Sequence, residues 1–213
     1  MTVTEIQQTK RGRFSIFGDG EFLFSVHKDI FLLHRELAAG REVSVQRLEE
    51  IRLEDEEYSC REKALSLLDY APQSEGRLRE KLERFYPPET AARVTARLRE
   101  AGLVDDLDYG RRLAADLVNL RGWGPLRVRQ ELRRRRLSPE TVQAVMEGLE
   151  EDSEEDPADA VLRLVRKKYL PKLREPRGRE KVAAALQRRG YGWGEIREAL
   201  SRLGEEDLPP ETD

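Results

Sequence analysis

The feature that most constrains this chain is a recurrence. Pro88-Glu89-Thr90-Ala91 returns as Pro139-Glu140-Thr141-Val142, each proline suited to a first helical position, where a missing N–H costs nothing. Asp105-x-x-Asp108 returns as Asp156-x-x-Asp159, an aspartate placed to cap a helix with a second acid near its positive end. Apolar stripes at helical spacing recur around these signals. Ala64, Leu67 and Leu68 lead through a break at Ala71–Ser74 to Leu78, Leu82 and Phe85, then to Ala91, Val94 and Leu98. Tyr109, Leu113, Leu117 and Leu120 open a second set, broken by Gly122-Trp123-Gly124-Pro125 and continued by Leu126, Val128 and Leu132, then Val142, Val145, Met146 and Leu149. A third set runs from Val161, Leu164 and Val165 through Val182, Ala185 and Leu186 to Ile196, Ala199, Leu200 and Leu203. A chain that repeats such a unit every ~45 to 50 residues folds as a tandem array, not around one thick core.

The expected fold is therefore mainly α: three tandem three-helix repeats in an elongated or curved array, over 61–104, 105–151 and 157–204. A small N-terminal unit with a β-hairpin and a helix precedes them over 1–57, and an acidic, disordered tail follows over 205–213. The hairpin signal is Gly18-Asp19-Gly20, flanked by alternating Phe14 and Ile16 on one side and Phe22, Phe24 and Val26 on the other. Val3 and Ile6 suggest an edge strand. A short helix from Asp29 to Leu37 should end at Gly40, and Ser44 can cap the next.

Charge is plentiful, 38% of residues, but nearly balanced at −3 overall. Its distribution says more. From Arg111 to Arg136 nine arginines stand against Asp116 and Glu131 alone, and from Arg163 to Tyr191 eleven Lys/Arg stand against Glu175 and Glu180. Between them Glu147–Asp159 holds eight acids and no base. Blocks of alternating sign imply separate basic and acidic zones on the surface.

The densest basic stretch follows the Gly-Trp-Gly-Pro break. At ~100° per residue, Arg129, Arg133 and Arg136 share one flank of the apolar stripe and Arg127 and Arg134 the other. Arg111, Arg112, Arg121, Lys167, Lys168, Arg188 and Arg189 extend the same chemistry. Trp123 and Trp193 both sit in glycine-flanked breaks, read as corresponding positions; each is either a plug between helices or, rimmed by arginine, an anchor for a partner. A face of this kind binds phosphate or an acidic protein equally well.

Catalytic constellations are not evident. The two histidines, His27 and His34, are too far apart on a helix to share a metal, and read as surface or packing residues. Cys60 is the single cysteine, so no disulfide framework is available and a buried thiol is expected. None of the glycine pairs is followed by the lysine and hydroxyl of a phosphate-binding loop. No cofactor and no metal are expected, and the chain reads as a non-enzyme. No apolar run approaches the ~18 residues of a membrane span, so a cytoplasmic monomer is expected.

The stretch GLVDDLDYGRRLAADLV followed by RGWGPLRVRQELRRRRLSPETV resembles the RecX family of bacterial RecA regulators. The residues that carry the likeness are Gly102, Leu103, Val104, Asp105, Asp106, Tyr109, Arg121, Gly122, Gly124, Pro125 and the basic helix Arg127–Leu132. KALSLLDYAPQSEGRLREKL is similar to the family's first module, and the GDGEFLFSV hairpin to an extension in some members. Tyr70-Ala71-Pro72, Arg135-Arg136 and an extra stretch over Pro171–Pro176 depart from the pattern. The resemblance implies a modulator, mainly an inhibitor, of RecA that binds in the groove of the RecA filament on single-stranded DNA. It implies suppression of ATP hydrolysis, strand exchange and co-protease activity in DNA repair and the SOS response, with at most weak contact to the DNA itself. The residues alone also allow a helical-repeat protein that binds single-stranded DNA directly and displaces other proteins.

Overall fold

A computed structural model describes residues 1–151 and 156–203. The tail expected to be disordered, and part of the acidic block, lie outside the described residues. Three antiparallel strands open the chain: β1 (Val3–Gln8), β2 (Phe14–Gly18) and β3 (Glu21–Val26), in the order β1-β2-β3. The expected alternation in β3 fails at one point. Ile16 pairs with Phe24 but Phe17 pairs with Phe22, so Leu23 is an extra residue and the strand flips face there. Leu23 turns to the core, while Phe22 is 57% exposed and meets Phe17 edge-on.

Next come α1 (Lys28–Leu33) and a 3-10 turn over Arg35–Leu37, where a single helix was expected; the backbone at His34 is not helical and separates them. Ser44 caps α2 (Val45–Tyr70), its hydroxyl accepting from the Arg47 N–H. The boundary expected between residues 57 and 61 falls inside this helix, which runs unbroken. Its acidic run is held by cations from other segments: Arg13 reaches Asp55 at 2.5 Å, and Arg93 and Arg97 reach Glu57. Leu48 and Ile51 of α2 pack under the sheet with Val3, Ile16, Val26, Ile30, Leu37 and Val43. Cys60 and Ala64 pack instead with residues from α3 (Glu75–Leu82) and α4 (Pro88–Glu100). Phe85, expected on the apolar stripe, is 68% exposed just past the end of α3, and Tyr86 packs in its place. Burial pushes the Cys60 thiol up to about 11, so it is inert at neutral pH.

The second repeat is α5 (Asp106–Asn119), α6 (Pro125–Arg134) and α7 (Pro139–Glu151). The third is α8 (Pro157–Lys168), a short α9 (Leu170–Leu173), α10 (Gly178–Arg188) and α11 (Trp193–Ser201). Asp105 caps α5 by accepting from the Leu107 and Asp108 amides, and Asp156 caps α8 by accepting from Ala158. Pro88 and Pro139 occupy the starts of their helices. Leu120 and Leu126, expected in the core, are 78% and 63% exposed: Leu120 lies just past the end of α5 and Leu126 in the first turn of α6.

The chain forms two compact units. One comprises Met1–Pro72 and Leu78–Val104; the other comprises Gln73–Arg77 and the described residues from Asp105 on.

Candidate functional site: a basic pocket at a repeat junction

Within the second unit the same junction is built twice. At the first, Ser74 donates its hydroxyl to the Arg135 carbonyl and accepts from the Arg77 amide, so the start of α3 meets the end of α6. A Cβ on Gly76 would lie 2.6 Å from the Arg136 carbonyl oxygen, which shows how closely the two backbones approach. At the second, the Gly124 amide donates to the Arg189 carbonyl at 2.8 Å and the Leu126 amide to the Gly190 carbonyl at 3.1 Å. Here the start of α6 meets the end of α10. The first N–H groups of a helix and the last carbonyls of another are the groups each lacks partners for, and their opposite partial charges attract. A Cβ on Gly124 would fall 2.5 Å from Gly190, so only glycine fits. The start of α10 is covered by the chain's own insertion: the Gly178 amide donates to the Glu175 carbonyl at 2.7 Å, and Gly178 packs against the backbone of Lys172 and Leu173.

The two junctions differ in charge. At the first, the 8%-exposed Glu131 accepts from Arg134 and Arg135 at 2.7 to 2.9 Å, and Arg135 also donates to the Tyr109 hydroxyl. Hydrogen bonds from Arg134, then Arg135, hold the Glu131 carboxyl below its usual range against the opposing effect of burial. The Asp106 carboxylate accepts the Glu75 amide at 2.7 Å. The second junction is held by arginine on carbonyls. Arg189 donates to the Arg121 carbonyl at 2.7 Å, to Gly122 at 3.3 Å and to the Tyr169 hydroxyl at 2.9 Å. Arg127 donates to the Arg188 carbonyl at 3.0 Å, and its guanidinium lies 4.0 Å from the centre of the Trp123 ring. Arg121 stands 5.5 Å from the same ring.

These groups surround an open pocket of about 430 Å³, lined by Arg121, Trp123 and Arg127 from the second repeat and by Tyr169, Lys172, Ala185, Arg188 and Arg189 from the third. No carboxylate lines it; Glu175, just outside, pairs with Lys181 and also feels the Lys172 ammonium. Trp123 is half-buried, packing partly on the second repeat's core, so it is both plug and wall.

The structure brings together Arg121, Trp123, Arg127, Arg188 and Arg189 of the residues singled out from sequence. The rest lie outside the pocket. Arg112 pairs with Asp108 and Arg134 with Glu131, while Arg111, Arg133, Lys167 and Lys168 are exposed and Arg129 is half-buried. Arg136 does not share a helical flank with Arg129 and Arg133, because α6 ends at Arg134 and Arg136 is left-handed with φ 63°. The two tryptophans do not correspond either. Trp123 precedes a second helix; Trp193 begins a third, 56% exposed, in the position of Pro139 and Pro88. The left-handed Arg136 and Gly190 are the true equivalents, each two residues past its helix. Tyr169, noted in the sequence only beside Lys167-Lys168, enters the pocket wall from the end of α8, and sequence reasoning missed Lys172, which the insertion carries there. Another pocket, of about 890 Å³ in the first unit, is lined by apolar residues such as Leu33, Leu53 and Leu103, with Tyr58 and charged side chains including Glu57, Arg61 and Arg93.

Tandem three-helix units of this plan define a helical-repeat protein. Its repeats match three family models: RecX first three-helix domain over residues 60–98, RecX second three-helix domain over 105–146 and RecX third three-helix domain over 154–200. The chain belongs to the RecX family. The protein named Regulatory protein RecX from Clostridioides difficile is 29% identical over 206 residues, covering 94% of this chain and 95% of that one. That from Lactobacillus gasseri is 30% identical over 165 residues, 76% of this chain and 59% of the relative. Among solved structures, one described as regulatory protein RecX superposes with a TM-score of 0.67 at 22% identity, covering 94% of this chain and 99% of that one. RecX from Lactobacillus salivarius gives 0.60 at 14% identity, over 69% and 96%. No helix among the described residues is long and apolar enough to cross a membrane.

Proposed function

We propose that this chain regulates the RecA recombinase, mainly as an inhibitor, by binding in the groove of the RecA filament on single-stranded DNA. The observation that carries this reading is the match of all three repeats, in order, to the three RecX domains, with relatives named regulatory proteins aligning along nearly the whole chain. In this role it lowers ATP hydrolysis, strand exchange and co-protease activity, and so bears on DNA repair and the SOS response. It acts as a cytoplasmic monomer without a cofactor. Exposed cations outside the junctions, Arg111, Arg133, Lys167 and Lys168 among them, are available to carboxylates on a protein partner.

The test is DNA-dependent ATP hydrolysis by RecA, titrated with this protein well below the amount needed to cover the strand. Inhibition at that ratio supports action on the filament. Inhibition only at full coverage, relieved in proportion by bare competitor DNA, contradicts it.

A further inference from the structure

The junction pocket has a property that a surface docking on protein does not need. Arg121, Arg127, Lys172, Arg188 and Arg189 converge on one concavity with no carboxylate among its walls. Two of these guanidiniums are already fixed: Arg189 by three oxygen atoms, and Arg127 by the Arg188 carbonyl and the Trp123 face. Positive groups held close together repel one another, and the oxygens that Arg127 and Arg189 donate to, three backbone carbonyls and the Tyr169 hydroxyl, carry only partial charge. The charge is left for a ligand. Guanidinium forks match phosphate oxygens, and immobilised donors lose little freedom on binding. A single side-chain carboxylate would meet one or two such groups. Five cations beside two aromatic side chains suit a run of phosphates with sugar or base between them.

We infer that the pocket at the junction of the second and third repeats binds the phosphodiester backbone of single-stranded nucleic acid, with a nucleotide seated beside Trp123. Arg127 and Arg189 hold the walls and face the strand; Arg188, Lys172 and Arg121 supply the remaining phosphate contacts. The Arg188 side chain and the Lys172 ammonium make no hydrogen bond that the junction depends on, so they can be removed without undoing it.

Trp123 and Trp193 are the two tryptophans of the chain, so Trp193→Phe leaves Trp123 as the sole reporter. The full chain carrying that change is titrated with oligothymidylate, inorganic phosphate and polyglutamate, following Trp123 emission at several salt concentrations. Oligothymidylate should change the emission saturably. With five phosphate contacts the slope of log affinity against log salt should be about −3.5, falling to about −2 for Arg188→Gln/Lys172→Gln, with affinity roughly tenfold lower. The control Lys10→Gln/Arg11→Gln, which removes the same charge from an exposed turn, should leave both unchanged. Phosphate alone should act only at far higher concentration. Four results overturn the inference: no response to oligothymidylate at low salt, the same slope in the pocket variant, equal loss in the control, or a stronger response to polyglutamate, which would make this a protein-contact site. RecA is absent from the experiment, so a failure here leaves the regulatory reading standing.

Discussion

The two junctions of the second unit share a backbone plan and differ in what neutralises it. In both, the start of one second helix receives the end of the next. The first is closed electrostatically: Glu131 sits between Arg134 and Arg135, Asp106 takes an amide, and a serine hydroxyl bridges the helices. The second replaces the serine by Gly124, the left-handed Arg136 by Gly190, and the carboxylate by carbonyl oxygens. Glycine on glycine brings the backbones close without side chains, and the arginines that would have been consumed in ion pairs are left facing a pocket. One architecture thus yields a structural joint and a charged, receptive one.

The sharpest way to break this comparison is at the glycines. Gly190→Ala places a side chain on a residue at φ 91° and against the Arg127 backbone. It should cost about 3 kcal/mol, seen by hydrogen exchange as loss of protection in α10 and α11. Gly76→Ala, crowded but not left-handed, should cost less; equal costs would mean the second junction is no tighter than the first.

Removing the carboxylate comes next. Glu131→Gln should destabilise the first junction by about 2 kcal/mol, since two guanidiniums lose their partner. Acid should act in the same place. The folded Glu131 carboxyl lies below its unfolded value of 4.5, so its contribution is fully present above that value. It is lost as the pH falls through the lower folded value. Protection at Arg135–Leu137, relative to the intrinsic exchange rate at each pH, should therefore fall in acid while that at Trp123–Leu126 holds; parallel loosening would contradict the charge difference.

Ser74→Ala should remove one cap at a cost of about 1 kcal/mol. Smallest of all, Arg188→Gln/Lys172→Gln should leave the melting temperature where it was, since these exposed cations hold nothing together. A marked drop would make the pocket structural.

Much of this was legible from local signals. The caps at Asp105 and Asp156, the prolines at 88 and 139 and the Gly-Trp-Gly-Pro break each act within a few residues, and the structure places them as read. The run Glu54–Glu57 looked like the end of a unit because its partners, Arg13, Arg93 and Arg97, are far off in sequence. No glycine or proline interrupts Val45–Tyr70, and that was the signal to trust. Pairing the tryptophans followed glycine neighbours, when the stripe Val142, Met146 and Leu149 against Ile196, Leu200 and Leu203 already aligned Trp193 with Pro139. The pocket was only half legible: its arginines stood out as a basic run, but Lys172 joins them only because an insertion folds back over the start of α10.

The measurement that bears most directly on the contrast between the joints is site-resolved hydrogen exchange of the full chain with and without oligothymidylate. A ligand that binds the folded state protects the segments it holds together. The account predicts added protection at Gly122–Arg127 and Leu186–Gly192, with Gln73–Arg77 and Glu131–Leu137 unchanged. Protection at the first junction instead, or spread evenly over both, would contradict it.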